Sequence, residues 1–300
     1  METPFATPVR QRCEVIGSSF PAEYESVRPK RVRIQWQLPV PFRVTFNRRM
    51  PPTTSNLTPR IARDGFCFIP ANESQSLLGK LSREQIAAFA AHWNGMPLDT
   101  YMADGGRYRR RRYATLSMAA GETTATREPQ QPHYQHLDYN HLNGGVARHY
   151  EPIVGDVLDG SIMRALLALG ATVFNPLAPG NAWHVEVHQF RIEANPAEQG
   201  QPTPEGVHRD GVDFVIVMMV KRHNIREGTT TIHGVDQQPL ASFTLIEPLD
   251  MTLIDDHRCL HGVTPVVPLD SSQPAYRDVL VVTFRTKPGA KFAAIQKEHP

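Results

Sequence analysis

GVHRDGVDFVIVMM, residues 206–219, sets a charged His-Arg-Asp triplet directly against an almost uninterrupted apolar run. A short run rich in Val, Ile and Phe, bounded by Gly and Asp, reads as a buried β-strand. Working outward, the same reading applies to WHVEVHQFRI (183–192), TTTIHG (229–234), SFTLIE (242–247), DMTLIDD (250–256), HGVTPVV (261–267) and RDVLVVTFR (277–285). No long helical pattern intervenes after about residue 183, which argues against a parallel βαβ sheet and for an antiparallel sandwich or jelly roll. His208 and Asp210 then stand at the mouth of a buried strand, where either a polar entrance or a bound group accounts for them.

The residues upstream are organised differently. Residues 1–60 are rich in Pro and Arg, with two brief alternating patches at Val32–Trp36 and Phe42–Phe46. They read as an extended arm, and 61–300 as the compact domain. RDGFCFIPA (63–71) supplies a short strand between Gly65 and Pro70. Ser82 and Gln85 have capping-box spacing, and Ile86, Phe89, Ala90 and Trp93 follow at helical intervals. A second helix is expected from about Gly155 to Leu169, closed by Gly170.

Composition bounds the function. At 300 residues and 40% hydrophobic content the chain can bury a substantial core, and a formal charge of +2 forces neither a nucleic-acid nor a membrane partner. Cys13, Cys67 and Cys259 are widely separated and show no zinc or disulfide spacing. The N-terminal stretch lacks an apolar signal core, and no segment reaches the ~20 apolar residues that span a bilayer. A soluble cytoplasmic protein is the expectation.

Two residues apart on a strand, His208 and Asp210 share a face and can reach one ion. A 2-His-1-carboxylate set suits Fe(II) and leaves coordination positions open. The third ligand must come from another strand, and DDHRCLHGVTPVV offers His261 beside His257. A rival His-x-Asp, His136 to Asp138, could recruit His184 or His188, but it sits in a Gly/Asn-rich loop with no rigid strand behind it. If HGVTPVV and RDVLVVTFR form a hairpin, Arg277 falls opposite Val263, a step along the sheet from His261. A guanidinium fixed there is suited to clamp a carboxylate.

GVHRDGVDFVIVMMVKRHNI, DDHRCLHGVTPV and AYRDVLVVTFR resemble the iron- and 2-oxoglutarate-dependent dioxygenases related to bacterial L-isoleucine hydroxylases, which oxidise free aliphatic L-amino acids. The similarity extends upstream through HQFRI, YNHLNGGVARHYEPI and GGRYRRRRYA to RDGF, so that it covers about residues 63–288. The resemblance implies a mainly β fold with flanking helices, a cupin-like double-stranded β-helix. It implies His208, Asp210 and His261 as catalytic iron ligands and Arg277 as anchor for the distal carboxylate of 2-oxoglutarate, with O2 as second co-substrate. It further implies hydroxylation of an unactivated C–H bond with release of succinate and CO2. The chain departs from the pattern at REGTTTIHG, where Thr229 and Thr230 follow Gly228 in place of an acidic residue; this bears on substrate identity and leaves the metal site untouched.

The remaining polar residues are read more openly. In RYRRRRY, alternation places Arg109 and Arg111 on one face and Arg110 and Arg112 on the other, so one pair can turn inward to a substrate carboxylate. Tyr139, in DYNHLNGG, could belong to a lid over a small amino-acid substrate. Gln189 and Arg191 share a face with Val185 and Val187, and His184, Glu186 and His188 share the other; an inward Gln189 could line the 2-oxoglutarate pocket. Two other readings stand beside the first: a hydroxylase of peptide or protein side chains, and a β-sandwich whose arm and arginine run contact RNA. Products from free amino acids versus peptides separate the first two, and salt-sensitive nucleic-acid binding marks the third.

Overall fold

The computed structural model describes residues 54–287. The patches at Val32–Trp36 and Phe42–Phe46, and Cys13, lie outside the described residues. Helix α1 (Thr54–Asp64) leads into strand β1 (Phe66–Ile69), followed by α2 (Ala71–Leu78) and α3 (Arg83–Ala91). Then come β2 (Arg109–Met118), β3 (Thr126–Arg127), α4 (Gly155–Leu158) and α5 (Ser161–Phe174). The remainder is strand: β4 (Ala182–Ala194), β5 (Phe214–His223), β6 (Ile225–Glu227), β7 (Thr230–Gly234), β8 (Pro239–Phe243), β9 (Met251–Asp255), β10 (Cys259–Val263), β11 (Val266–Pro268) and β12 (Ala275–Lys287).

The strands form a seven-stranded antiparallel sheet in the order β1-β9-β5-β12-β4-β2-β3, a three-stranded sheet β10-β7-β8, and a β11-β6 pair. After β5 the chain leaves the large sheet for β6, β7 and β8, returns at β9, leaves again for β10 and β11 and returns at β12, a winding back and forth that makes the double-stranded β-helix, the jelly-roll core expected from the sequence. No helix among the described residues is long and apolar enough to cross a membrane.

One face of the large sheet is covered by helices. Leu166, Val173 and Phe174 of α5 are fully buried in one cluster with Val185, Val187, Ile216 and Val282. The Phe174 ring stacks on Phe214 at 4.4 Å and meets Phe284 edge-on at 5.1 Å. Each such side chain contributes about 1.5–3 kcal/mol through removal from water. The α3 capping box is present, Ser82 and Gln85 each accepting the other's backbone N–H.

Three expectations are corrected. The arm does not run to residue 60: α1 begins at Thr54, and Leu57 and Ile61, one turn apart, are fully buried. Its last carbonyls are taken by Arg258, whose guanidinium complements a helix C-terminus. The helix expected over Gly155–Leu169 breaks after Leu158 and resumes at Ser161, and Gly170 does not close it, since α5 continues to Phe174. A Cβ on Gly170 would lie 2.6 Å from the Phe284 ring, so this glycine serves close helix–sheet packing. Finally, β10 and β12 are not a hairpin. β10 pairs with β7, setting Val263 against Thr230, while β12 lies between β4 and β5, setting Arg277 between Ile192 and Arg222. The intervening chain forms β11, which pairs with β6 on one side while Val266 exchanges backbone hydrogen bonds with Gly200 on the other.

Candidate active site

A cavity of about 230 Å³ lies between the sheets. Alternation along the large sheet sets its floor: Glu186, His188 and Phe190 of β4, Arg109 and Arg111 of β2, and Arg277 and Val279 of β12 all face inward. Gln189 does not. It sits on the opposite face, level with Leu280 and Met218, and does not line the cavity.

His208 and Asp210 precede β5 and are fixed by two other devices. The backbone of His208 exchanges both hydrogen bonds with His261 at 2.9 Å, adding a strand stub to the edge of the small sheet. The carboxylate of Asp256 accepts the backbone N–H groups of Asp210, Gly211 and Val212 at 3.0, 2.8 and 3.1 Å, holding the turn after Asp210. Gly211, at φ +79°, completes that turn, and a Cβ there would strike the Tyr139 ring.

These devices bring three donors together. His208 Nε2 is 3.5 Å from Asp210 Oδ1, His261 Nε2 is 3.8 Å from Asp210 Oδ2, and one atom of each lies within 4.8 Å of the others. His208 Nδ1 donates to Gly206 O at 3.1 Å, which leaves Nε2 facing Asp210 as the nitrogen that a metal would bind in place of a proton. Burial lowers the pKa of His208, but the Glu205 and Asp210 carboxylates overrule it and raise it to about 10. Burial and the neighbouring His208 lower His261 to about 4. The spot where the donors converge therefore favours positive charge. Two imidazoles and one carboxylate, all buried or nearly so, fit a divalent ion such as Fe(II).

Arg277 reaches the same cavity from the large sheet. It is 2% exposed, and both Nε and Nη2 lack a partner among the described residues. Burial, with Arg222 adding repulsion, lowers it to about 9. A buried guanidinium without an anion fits the distal carboxylate of 2-oxoglutarate.

The arginine run divides as alternation predicts. Arg109 and Arg111 are buried in the cavity wall, Arg109 on Asp99 at 2.7 Å and Arg111 on His188 Nδ1 at 2.8 Å and the Tyr150 hydroxyl at 3.0 Å. Arg110 pairs with Glu193 and Arg112 with Glu151. Arg109 to Arg112 are thus all engaged within the fold. Tyr139 lines the cavity in a loop tied to the site by Gln135, whose amide donates to Asp210 O at 3.1 Å. The rival ligand set does not assemble: His136 and Asp138 pair with each other on an exposed loop, while His184 and His188 turn to Glu186.

Sequence reasoning missed Asp256, Glu205, Arg148 and the buried group His133, Glu186 and His188. Glu205 Oε1 lies 3.4 Å from His208 Nε2, and its Oε2 is buried without a partner. The available signal was WHVEVHQFRI itself, whose His/Glu/His face is the inward one.

Comparisons with known proteins point to one family. The family model of the 2OG-Fe dioxygenases matches residues 90–283. The 3(1)-hydroxy-L-isoleucine 4-dioxygenase of Pantoea ananatis (strain AJ13355) is 26% identical over 236 residues, covering 75% of this chain and 93% of that protein. The crystal structure of a bsmA homolog from Methylobium petroleophilum PM1 superposes with a TM-score of 0.71 at 34% identity, covering 79% of this chain and 94% of that one. IDO from Bacillus thuringiensis, at 18% identity and TM-score 0.66, covers 79% and 100% respectively and shares the fold.

Proposed function

The chain belongs to the 2OG-Fe dioxygenase family, and from that premise we propose that it hydroxylates an unactivated C–H bond of a free L-amino acid or close derivative. As a family member it is an oxidoreductase that uses Fe(II), 2-oxoglutarate and O2. In this reading His208, Asp210 and His261 hold the iron and Arg277 anchors the distal carboxylate of 2-oxoglutarate. With its co-substrates, iron bound there supplies oxidative decarboxylation to succinate and CO2 coupled to oxidation of a substrate C–H bond.

The chain's own residues supply orientation and a dry site. Asp256 holds the turn that carries Asp210, and the small sheet holds His208 against His261. Val263, Val279 and Val281 give the chamber apolar wall near the charged groups, which strengthens the electrostatics inside. One observation carries the reading: the buried Arg277 guanidinium, without a partner among the described residues, opens into the same cavity as a convergent His/Asp/His set. The 3(1)-hydroxy-L-isoleucine substrate named for the Pantoea relative supports the amino-acid class. Thr229 and Thr230 do not line the cavity; Thr229 bonds Thr264 and Thr244, and Thr230 pairs with Val263.

The test is succinate formation by anaerobically iron-loaded protein given 2-oxoglutarate, O2 and a panel of free L-amino acids, with His208→Ala alongside. Amino-acid-stimulated succinate and a product heavier by one oxygen, both absent in the variant, are expected. Wild type that makes no more succinate than the variant with every panel member would refute the free-amino-acid reading.

A further inference from the structure

The large-sheet side of the cavity carries a second buried group, His133, Glu186 and His188, whose donor atoms lie within 4.8 Å of one another. Its hydrogen bonds exclude a second metal. Arg111 can only donate, so His188 Nδ1 accepts at 2.8 Å and Nε2 carries the proton. A ligating histidine does the reverse, donating through one nitrogen and binding through the other. That Nε2–H points at Glu186 Oε2, 3.7 Å away.

Glu186 is half engaged. Its Oε1 accepts from Tyr113 at 2.9 Å and from Arg285 at 3.3 Å. Its Oε2 stands 3.6 Å from His133 Nε2 and receives no hydrogen bond among the described residues. His133 is backbone-paired with Arg148 by two bonds of 2.9 Å, so it adjoins both Glu186 and Arg148.

Arg148 is the counterpart of Arg277. Among the described residues these two buried arginines alone leave both Nε and Nη2 without a partner, the edge that matches a carboxylate fork. Arg148 is 1% exposed and lines the cavity, yet burial and the charge of Arg111 both press its pKa down. Arg109 is occupied by Asp99, and Arg111 is held between the Tyr150 and Phe190 rings at 4.2 and 4.7 Å. One open fork serves 2-oxoglutarate, and a second carboxylate is required for the other.

We propose that this wall is a clamp for the zwitterionic head of a free α-amino acid, Arg148 receiving the carboxylate and Glu186 Oε2 the ammonium, with His133 beside both. The proposal rests on the hydroxylase reading and deepens it: peptides, whose backbone amides carry neither charge, are excluded. Burial first, and then Arg111, hold His133 and His188 neutral, so neither repels the ammonium.

The experiment is anaerobic calorimetry on the Fe(II)- and 2-oxoglutarate-loaded protein. The probes are a panel of aliphatic L-amino acids and, for the tightest binder, its primary amide and its N-acetyl derivative. The clamp predicts that each derivative binds roughly 100-fold more weakly than the free amino acid. In Arg148→Gln the acid falls to the level of the amide, and in Glu186→Gln the N-acetyl derivative is no longer disfavoured; 2-oxoglutarate affinity stays unchanged in both. If Arg148→Gln does not fold, Arg148→Lys and the wild-type comparison suffice. Equal binding of acid and amide by wild type overturns the clamp and leaves the hydroxylase reading standing. So does retained discrimination in a folded Arg148→Gln, or discrimination in Arg148→Lys as strong as in wild type, since lysine keeps the charge and loses the fork. Binding of 2-oxoglutarate without any amino acid overturns the clamp and the free-amino-acid substrate together, and failure to bind 2-oxoglutarate overturns the whole reading of the site.

Discussion

Asp256→Asn separates the stability of the fold from the geometry of its metal site. The carboxylate spends Oδ1 on Asp210 N–H and Oδ2 on Gly211 and Val212 N–H. An amide of the same shape has one acceptor. With its oxygen toward Gly211 and Val212, its NH2 faces the N–H of Asp210, two donors in opposition. Loss of one hydrogen bond to a charged group costs about 1.5–3 kcal/mol, and the opposed donors add to this. A second effect has the opposite sign. Burial and the charge of Asp210 raise the Asp256 carboxyl to about 6, so removing its charge relieves a repulsion. The net change in global stability is expected below about 2 kcal/mol, within the usual range for a point substitution. The local loss is not compensated, because the peptide of Asp210 itself is released. Iron affinity should therefore fall about 10- to 100-fold, the usual range for groups that orient metal ligands. Anaerobic Fe(II) titration against a competing chelator measures it, beside urea unfolding of the metal-free proteins. Unchanged iron affinity in a folded variant would refute the assignment of Asp256 as the positioning residue of Asp210.

Three further outcomes are expected. Arg277→Gln should raise KM for 2-oxoglutarate by about 30-fold or more, since a buried charge pair loses one partner, with Arg277→Lys intermediate for want of a fork; steady-state succinate formation checks this. Gly170→Leu should destabilise the protein by about 1–3 kcal/mol through overpacking against Phe284 and Ile216, outweighing the ≲1 kcal/mol helix-propensity gain, as read by the urea midpoint. Glu186 is buried, which opposes ionisation, yet the His184 and His188 imidazoles turned toward it hold its carboxyl well below the usual range. Its folded pKa is thus depressed, and its stabilisation is complete above the unfolded value of about 4.3 and is lost as pH falls through the folded one. The stability gap between wild type and Glu186→Gln should be constant from pH 7 to 5 and narrow below pH ~4.5; a gap unchanged down to pH 3.5 would remove the linkage.

Much of this architecture was legible in the sequence because its signals are local. Apolar runs broken by Gly, Pro and Asp gave the strands, and Ser82 with Gln85 gave a helix start. His208, Asp210 and His261 were legible as residue types that suit one ion. What failed depends on partners distant in sequence. Gly170 reads as a helix stop until Phe284 is seen packed on it, and Asp256 reads as the end of a strand run until its bonds reach back to residues 210–212. The supposed hairpin failed for the same reason: β6 claims β11, a pairing no local pattern announces.

The face of β4 is the deepest of these failures and the most informative. Both faces of that strand are buried, so alternation separates two sets without telling which is inside. The choice is made by α5, whose apolar stripe covers Val185 and Val187 and leaves Glu186, His188 and Phe190 to the chamber. A chamber walled by polar groups is costly unless each finds a partner. Most do: Arg111 has His188 and Tyr150, Glu186 has Tyr113 and Arg285, and Arg109 has Asp99. Among the described residues, those left with open polar atoms include Arg148, Arg277 and Glu205 Oε2, beside the converging His208, Asp210 and His261. Two open forks and a cation-seeking triad are the complement of a divalent ion and two carboxylates, which is the ligand set that the proposed reading assigns to iron, 2-oxoglutarate and an amino-acid substrate.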